Sequence, residues 1–197
     1  MFLAPSIPED PENQDGNGVV PHNELIGRPE GAGVASTRGQ KFQAYRPTLS
    51  DYILSMKRGA QVIYPKDIGP MLMLADIEPG SRVFESGVGS GALSMAMLRA
   101  GAHITGYELR EDFAARAQKN VAEFLGEAAL EHYDVHIRDA YAGFEHGDFD
   151  RIVLDLPEPW NVVPRIGTAA LRPGGILISY SPSITQVMKM RDALTLA

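Results

Sequence analysis

The sequence predicts an α/β fold built on a doubly wound, parallel sheet. From Arg82 onward, short runs of β-branched and aromatic residues alternate with stretches of helical spacing. A glycine-rich turn lies between the first run and the first helix, and acidic residues follow the ends of later runs. These three observations together are typical of a sheet that binds a ligand at the carboxyl ends of its strands.

The alternating pattern predicts five strands and four helices. We expect strands over 82–86, 103–108, 134–138, 150–155 and 176–180, and helices over 90–99, 111–125, 161–171 and 183–194. Helical spacing in the second helix puts Phe113, Ala117, Val121 and Phe124 on one face, as packing against a sheet requires. Pro164 falls in the first turn of its helix, where a missing N–H costs little.

The part of the chain before Arg82 is organised differently. Apolar fragments broken by glycine, over 24–27, 33–37 and 41–45, predict two or three short strands, and the spacing after Thr48 is helical. The predicted divisions are a disordered acidic tail over 1–20, a small β-rich module over 21–48, a helical linker region over 49–80 and the sheet domain over 81–197.

Composition and charge restrict the function classes. The net charge of −7 argues against a nucleic-acid partner, but residues 21–66 carry seven bases against three acids. A merely solvated surface explains that local excess equally well. With no cysteine, and histidines without ligand spacing, we expect no disulfide and no metal site. No apolar run is long enough to cross a membrane, so we expect a cytoplasmic protein without a membrane partner.

The glycine-rich turn carries the strongest chemical signal. Between Glu85 and Gly91 the sequence is Glu-x-Gly-x-Gly-x-Gly, and the next strand ends on Glu108. Glycines let a backbone approach a nucleoside, and a carboxylate can accept hydrogen bonds from both ribose hydroxyls. The spacing differs from the Gly-x-Gly-x-x-Gly expected for a pyrophosphate. It resembles the form found with S-adenosylmethionine (SAM), which has no phosphate.

Two further acids follow predicted strands. Asp139 could accept a hydrogen bond from an exocyclic amine such as that of adenine. Asp155 follows a buried run and precedes Pro157 and Pro159, which stiffen the loop. It could accept a hydrogen bond from the amine of a target base and draw a proton as a methyl group arrives. A helix N-cap or a solvated strand end explains each acid singly, and the proline-rich loop also fits a rigid connection.

Two tyrosines stand where a base could bind. Tyr180 ends the fifth predicted strand, and Tyr64 lies in the turn before the sheet domain. Either ring could stack on a base or line its pocket. Tyrosines at such positions are also common as amphipathic packing residues, so both interpretations stay open.

Several further segments form one set of motifs with the glycine turn. In order along the chain, the segments are Pro21–Gly31, Arg46–Gly59, Val62–Asp67, the glycine turn, Tyr107-Glu108, Asp155–Trp160 and Thr185–Val187. Together they resemble the family of tRNA (adenine-58-N1)-methyltransferases, and the similarity covers residues 21–194. It includes a Met-Lys-Arg-Gly segment followed by Tyr-Pro-Lys-Asp, which is not a general methyltransferase feature.

The resemblance implies a Rossmann-like SAM-dependent methyltransferase sheet and assigns the candidate residues. For SAM it implies Glu85, Gly87, Gly89, Ser90, Gly91, Ala92 and Leu93 at the turn, Glu108 on the ribose, Phe113 beside the adenine, Asp139 on its amine, and Asp155. Asp155 would also serve catalysis at the target base, whose pocket Tyr64 and Tyr180 would line. That base is an adenine of the tRNA T-loop, methylated on N1 after being turned out of the loop.

The resemblance also raises questions of assembly. The resemblance implies a homotetramer, as for bacterial members of the family. Family members also continue past the fifth strand with a β-hairpin, so we expect a shortened chain whose sheet is incomplete at the C-terminus. Two other functions stay open. One is a catalytically silent tRNA-binding subunit of the same fold, and the other is a SAM-dependent enzyme that methylates a protein or a small molecule.

Overall fold

The structure, a computed structural model, describes residues 18–59, 61–144 and 147–196, without the side chains of 167–169. The chain divides into two compact units, with the boundary after Tyr52. Most of the predicted acidic tail lies outside the described residues. None of the helices over these ranges is long and apolar enough to cross a membrane.

The first unit contains a two-stranded antiparallel sheet. Strands β1 (Ala32–Ala35) and β2 (Lys41–Ala44) pair with each other. Two of the two or three predicted strands therefore form, but the fragment over 24–27 is not a strand, because the chain forms a 3-10 turn over His22–Glu24. The amides of Leu25 and Ile26 donate to the His22 carbonyl at 2.9 and 3.0 Å. Local bonds thus occupy the groups that a strand would have used. Helix α1 (Leu49–Ser55) follows and crosses the boundary between the units.

The second unit is built on one five-stranded sheet in which every strand is parallel to its neighbours. Its strands are β3 (Arg82–Ser86), β4 (His103–Glu108), β5 (Tyr133–Ile137), β6 (Phe149–Leu154) and β7 (Leu171–Ser179), in the order β5-β4-β3-β6-β7. Its helices are α2 (Pro65–Leu74), α3 (Ala92–Arg99), α4 (Glu111–Leu125), α5 (Val163–Ala170) and α6 (Ile184–Leu196). The predicted α/β fold with a parallel central sheet is confirmed.

The predicted bounds fail most clearly around β7. This strand begins at Leu171 rather than 176, and its pairing with β6 shifts register between Phe149 and Arg151. The Pro173-Gly174-Gly175 sequence falls in this irregular stretch, which is why it gave no strand signal. The preceding helix begins at Val163 rather than 161, because Pro159–Asn161 forms a 3-10 turn. Pro164 does lie in the helix's first turn, as predicted.

The buried strands of the core determine where the carboxyl edge of the sheet lies. Val83 and Phe84 of β3 and Ile152 and Leu154 of β6 are almost fully buried, so these two neighbouring strands lie in the core of the unit. Strand β3 pairs with β4 on one side and β6 on the other. The strand order therefore reverses beside β3, which opens a crevice at the carboxyl ends of these strands.

Candidate functional site

The turn after β3 requires glycine for two separate reasons. Gly87, Gly89 and Gly91 have φ angles of +86°, +57° and +81°, which disfavour other residues. At Gly87 a Cβ atom would also lie 1.9 Å from the carbonyl oxygen of Asp155. At Gly89 the nearest atom to a Cβ is 3.9 Å away. The turn therefore touches the chain after β6 at Gly87 and leaves open space at Gly89.

This difference gives a matched pair of substitutions. We expect Gly89→Ala to lower the free energy of unfolding by about 1 kcal/mol, the ordinary cost of a left-handed alanine. Gly87→Ala adds a backbone clash, so we expect a loss at least twice as large, roughly 2–4 kcal/mol. Urea unfolding of both variants measures this. Equal losses would contradict the close approach of Gly87 to Asp155.

Helix α4 supports the turn through a buried side chain that the sequence analysis missed. The Asn120 amide donates to the Ser90 carbonyl at 2.9 Å and to the Lys57 carbonyl at 3.2 Å. Its signal in the sequence was a polar residue among the apolar residues of that helix face. Ser90 Oγ is itself buried and has no hydrogen-bond partner among the described residues. Ala92 and Leu93 begin α3 beside it, and both are buried.

The carboxylate of Glu108 is fixed against the turn. Gly89 N donates to its Oε2 at 2.9 Å, and Arg110 N donates to its Oε1 at 3.0 Å. Each carboxylate oxygen can accept a second hydrogen bond. A held carboxylate with remaining acceptor capacity is what the two hydroxyls of a ribose require, so the geometry suits the predicted contact.

Phe113 and Asp139 fit their predicted contacts less directly. The Phe113 ring is buried beneath the Arg110 guanidinium, 3.8 Å from the ring centre, and a Cβ at Gly59 would come within 2.6 Å of it. Asp139 is exposed and caps the following 3-10 turn by accepting from Tyr141 N at 2.9 Å. The N-cap alternative therefore describes Asp139 in the structure, and both adenine contacts stay predictions.

Asp155 follows β6 directly at the edge of the crevice. Its amide donates to the Ser86 carbonyl at 2.9 Å, and Tyr180 N donates to the Leu154 carbonyl at 2.9 Å. The sheet thus brings Tyr180 next to the strand end that carries Asp155. Burial raises the pKa of the Asp155 carboxyl to about 6. Near pH 7 it is mostly a carboxylate, and one in an environment with little water.

Tyr64 lies in the turn that opens α2, with 43% of its surface exposed. The Asp67 hydrogen bond raises the pKa of Lys66 in the same turn. Among the described residues, no hydrogen bond or ring contact joins Tyr64 to Asp155 or to Tyr180.

Glu85 lies beneath the turn rather than on its surface. Ser94 Oγ donates to Glu85 Oε2 at 2.6 Å, and the Tyr133 hydroxyl donates to Ser94 Oγ at 2.9 Å. Burial raises the pKa of Glu85 to about 8 against the lowering effect of the Ser94 hydrogen bond, and the charges of Asp155 and Glu108 raise it further. Three carboxyl groups thus interact at this edge of the sheet, and Glu85 is the innermost.

A cavity of about 730 Å³ lies elsewhere, at the amino ends of the strands. Arg82, His103 and Tyr133, which begin β3, β4 and β5, are among its lining residues. The glycine turn and the acids that follow the strands are all at the opposite edge. The groups that could bind a nucleoside therefore lie at the carboxyl edge of the sheet and not at this cavity.

The carboxyl edge fits a nucleoside without a phosphate. The backbone is open at Gly89, the Ser90 hydroxyl lacks a partner among described residues, and Glu108 retains acceptor capacity. These are donors and acceptors for hydroxyls and amines. Within the described ranges no three His, Asp or Glu side chains are grouped closely enough to hold a metal ion.

Comparisons with known proteins agree with this chemistry. Residues 44–197 match the family model described as tRNA methyltransferase complex GCD14 subunit. The chain is 38% identical over 177 residues to the tRNA (adenine(58)-N(1))-methyltransferase TrmI of Thermus thermophilus, covering 88% of this chain and 68% of that protein.

Two crystal structures share the fold over 91% of this chain. The tRNA (m1A58) methyltransferase TrmI from Aquifex aeolicus has a TM-score of 0.74 at 29% identity, with 70% of it covered. A SAM-dependent O-methyltransferase from Thermotoga maritima has a TM-score of 0.84 at 32% identity, with 67% of it covered.

Proposed function

We propose that this chain, which belongs to the GCD14 family of tRNA methyltransferases, transfers a methyl group from SAM to N1 of adenine 58 in tRNA. The observation that carries the proposal is the juxtaposition of the glycine turn with Asp155. At Gly87 the turn touches the backbone of Asp155, so a cofactor on the turn is next to that carboxylate. Donor and acceptor of the methyl group would then share one crevice.

Bound SAM supplies an electrophilic methyl group that a ring nitrogen can accept directly. In our proposal, Glu108 binds the ribose hydroxyls, and the turn from Gly87 to Leu93 accommodates the rest of the cofactor through its backbone. Ser90 Oγ gains the partner that it lacks among the described residues. These residues orient the methyl group towards the target base and exclude water from its path.

Asp155 acts on the target base. Transfer of the methyl group to N1 would break its bond to the sulfur of SAM, and the positive charge of the sulfonium would then be spread over the adenine ring and its exocyclic amine. A carboxylate that accepts a hydrogen bond from this amine stabilises that charge, and more strongly where water is scarce. Tyr64 and Tyr180 line the pocket for the turned-out base, and their rings support the base by stacking on it.

Methyl transfer to an unmodified tRNA transcript tests the proposal. The protein is incubated with methyl-labelled SAM and the transcript, and the RNA is digested to nucleosides. We expect the label in 1-methyladenosine, and label in another nucleoside would contradict the proposal. Binding of the transcript should weaken with rising salt, because residues 21–66 carry the excess of bases.

A second candidate is methylation of a hydroxyl oxygen on a protein or a small molecule, because the Thermotoga maritima neighbour is named an O-methyltransferase. An O-methyltransferase requires a base for a hydroxyl proton, and Asp155 could take that part. A tRNA that accepts no label, together with SAM binding in calorimetry, would favour this candidate. The absence of SAM binding would instead favour the silent tRNA-binding subunit.

Assembly and location are further parts of the proposal. We propose a homotetramer acting in the cytoplasm, in line with the predictions from the sequence. The domain boundaries after residues 20, 48 and 80 also stay predictions. Sedimentation of the purified chain measures the assembly directly.

A further inference from the structure

One peptide group after Asp155 is held from both sides. The carbonyl of Pro157 accepts a hydrogen bond from Gln186 Nε2 at 3.1 Å, and the amide of Glu158 donates to the Tyr141 hydroxyl at 3.2 Å. The carbonyl and the N–H belong to the same peptide bond. Helix α6 and the 3-10 turn after β5 therefore each form a hydrogen bond to the same planar peptide group.

The sequence of the loop makes this peptide the natural point to hold. Pro157 and Pro159 have no N–H, so Glu158 supplies the backbone donor between them. Hydrogen bonds at both ends of a planar peptide fix its orientation. Asp155 lies just before this peptide, with its own amide bonded to the Ser86 carbonyl at 2.9 Å. The short stretch between the two fixed points leaves its backbone little freedom.

Gln186 is itself fixed by the start of its helix. Its Oε1 accepts from Ser183 N at 3.2 Å and from Ser183 Oγ at 3.0 Å, while Gln186 N donates to Ser183 Oγ at 3.3 Å. This is a capping box, and it occupies the oxygen of the side chain. The remaining amide nitrogen then points at Pro157. One residue thus caps α6 and connects it to the loop.

Tyr141 is fixed in a similar way on the other side. Its amide donates to Asp139 Oδ1 at 2.9 Å, and its ring packs against the buried cluster that contains Leu154. The hydroxyl therefore reaches Glu158 from a held position. Tyr141 connects the proposed adenine contact, Asp139, to the loop at the target base.

We propose that Tyr141 and Gln186 are positioning residues, which hold the Pro157–Glu158 peptide and thereby the carboxylate of Asp155 at the target base. The inference rests on the proposed function, because it concerns the orientation of the Asp155 carboxylate towards the target base. The two hydrogen bonds lie at opposite ends of one peptide dipole, so each polarises the group that the other uses.

Tyr141→Phe is the primary test, because it removes the hydroxyl and keeps the ring. We expect kcat for tRNA methylation to fall about tenfold while the Kd for SAM stays unchanged. Trp160, the single tryptophan of the chain, lies in the same loop, where Lys189 Nζ is 4.6 Å from its ring centre. Acrylamide quenching of the Trp160 fluorescence should increase, because a loosened loop exposes the ring. This measurement reports the accessibility of the loop independently of activity.

Gln186→Glu tests the other side. Glutamate keeps the capping box but places an acceptor against the Pro157 carbonyl, so we expect a similar fall in kcat and a similar rise in quenching. It also adds a charge near Lys189, which is why Tyr141→Phe is the primary variant. The double variant should lose less than the product of the single losses, because both residues hold one peptide.

Thr195→Ala is the matched control. Its hydroxyl donates to the Arg191 carbonyl at 2.9 Å, so the change removes one hydrogen bond from the far end of α6. We expect wild-type kcat and quenching. The proposal is overturned if Tyr141→Phe also shows wild-type quenching and kcat, or if its loss of activity only follows the fraction of unfolded protein. If the wild-type protein methylates no tRNA, the proposed function fails, and the quenching still decides whether the peptide is held.

Discussion

Replacing Asp155 with alanine is expected to slow methyl transfer to tRNA by roughly 10²- to 10³-fold, the usual effect of removing one group that stabilises charge in a transition state. The carboxylate is partly buried at the end of β6, where a charge interaction is stronger than in water. Single-turnover transfer of labelled methyl groups measures the loss. Calorimetry should find only a small change in SAM affinity, because Glu108 and the turn remain.

The pH dependence separates the charge of Asp155 from its shape. With its pKa raised to about 6, Asp155 takes up a proton as the pH falls through that value. We expect kcat/KM of the wild type to decline below about pH 6, approaching tenfold per pH unit. Asp155→Asn should be slow at every pH and lack this limb. Wild-type rates in either Asp155 variant would show that the carboxylate is structural.

An exposed acid provides the control for Asp155. Asp148 Oδ2 lies 2.8 Å from Arg82 Nη2, at the amino edge of the sheet. Asp148→Asn removes a carboxylate of the same kind far from the crevice. We expect unchanged transfer, since exposed ion pairs contribute little to stability.

Glu85→Gln is expected to make the protein more stable than the wild type in alkaline solution. Burial raises the pKa of Glu85 from 4.5 to about 8, so between these values the folded protein keeps a proton that the unfolded chain has lost. The contribution of protonated Glu85 to the free energy of unfolding is therefore fully present below about pH 4.5, and it is lost as the pH rises to about 8. The loss is roughly 4 to 5 kcal/mol by linkage. Glutamine has no proton to lose and escapes it.

Urea unfolding at about pH 5 and about pH 9 measures this difference. The variant should resemble the wild type at the lower pH and exceed it at the higher one. Glu111→Gln, at the exposed start of α4, should keep the wild-type dependence on pH. Parallel curves for Glu85→Gln and the wild type would contradict a buried, protonated Glu85.

Much of the fold follows from local patterns in the sequence. Strands β3 and β6 each contain a short apolar run, Val83-Phe84 and Ile152–Leu154, and the turn between β3 and α3 has a distinctive glycine spacing. The family predicted from the motifs is confirmed by the match over residues 44–197. The strand over 24–27 failed because its composition suits a short turn as well as a strand. The start of β7 failed because Pro173 and Gly174 are also turn residues.

The supports of the site follow much less from the sequence. Asn120 bonds to carbonyls at Ser90 and Lys57, which lie far away along the chain. Gln186 and Ser183 predict a helix start, but nothing local indicates that the same amide reaches Pro157. Tyr141 has no motif at all. Such contacts depend on the closed sheet, so only the three-dimensional structure reveals them.

Two transcripts that differ only at position 58 test the central claim most directly. One carries adenine and the other guanine, which already has a hydrogen on N1 and no exocyclic amine at carbon 6. With labelled SAM, we expect the protein to methylate the adenine transcript and leave the guanine transcript unlabelled. Equal labelling of both transcripts, or of neither, would contradict a crevice in which Asp155 and the glycine turn act on adenine N1.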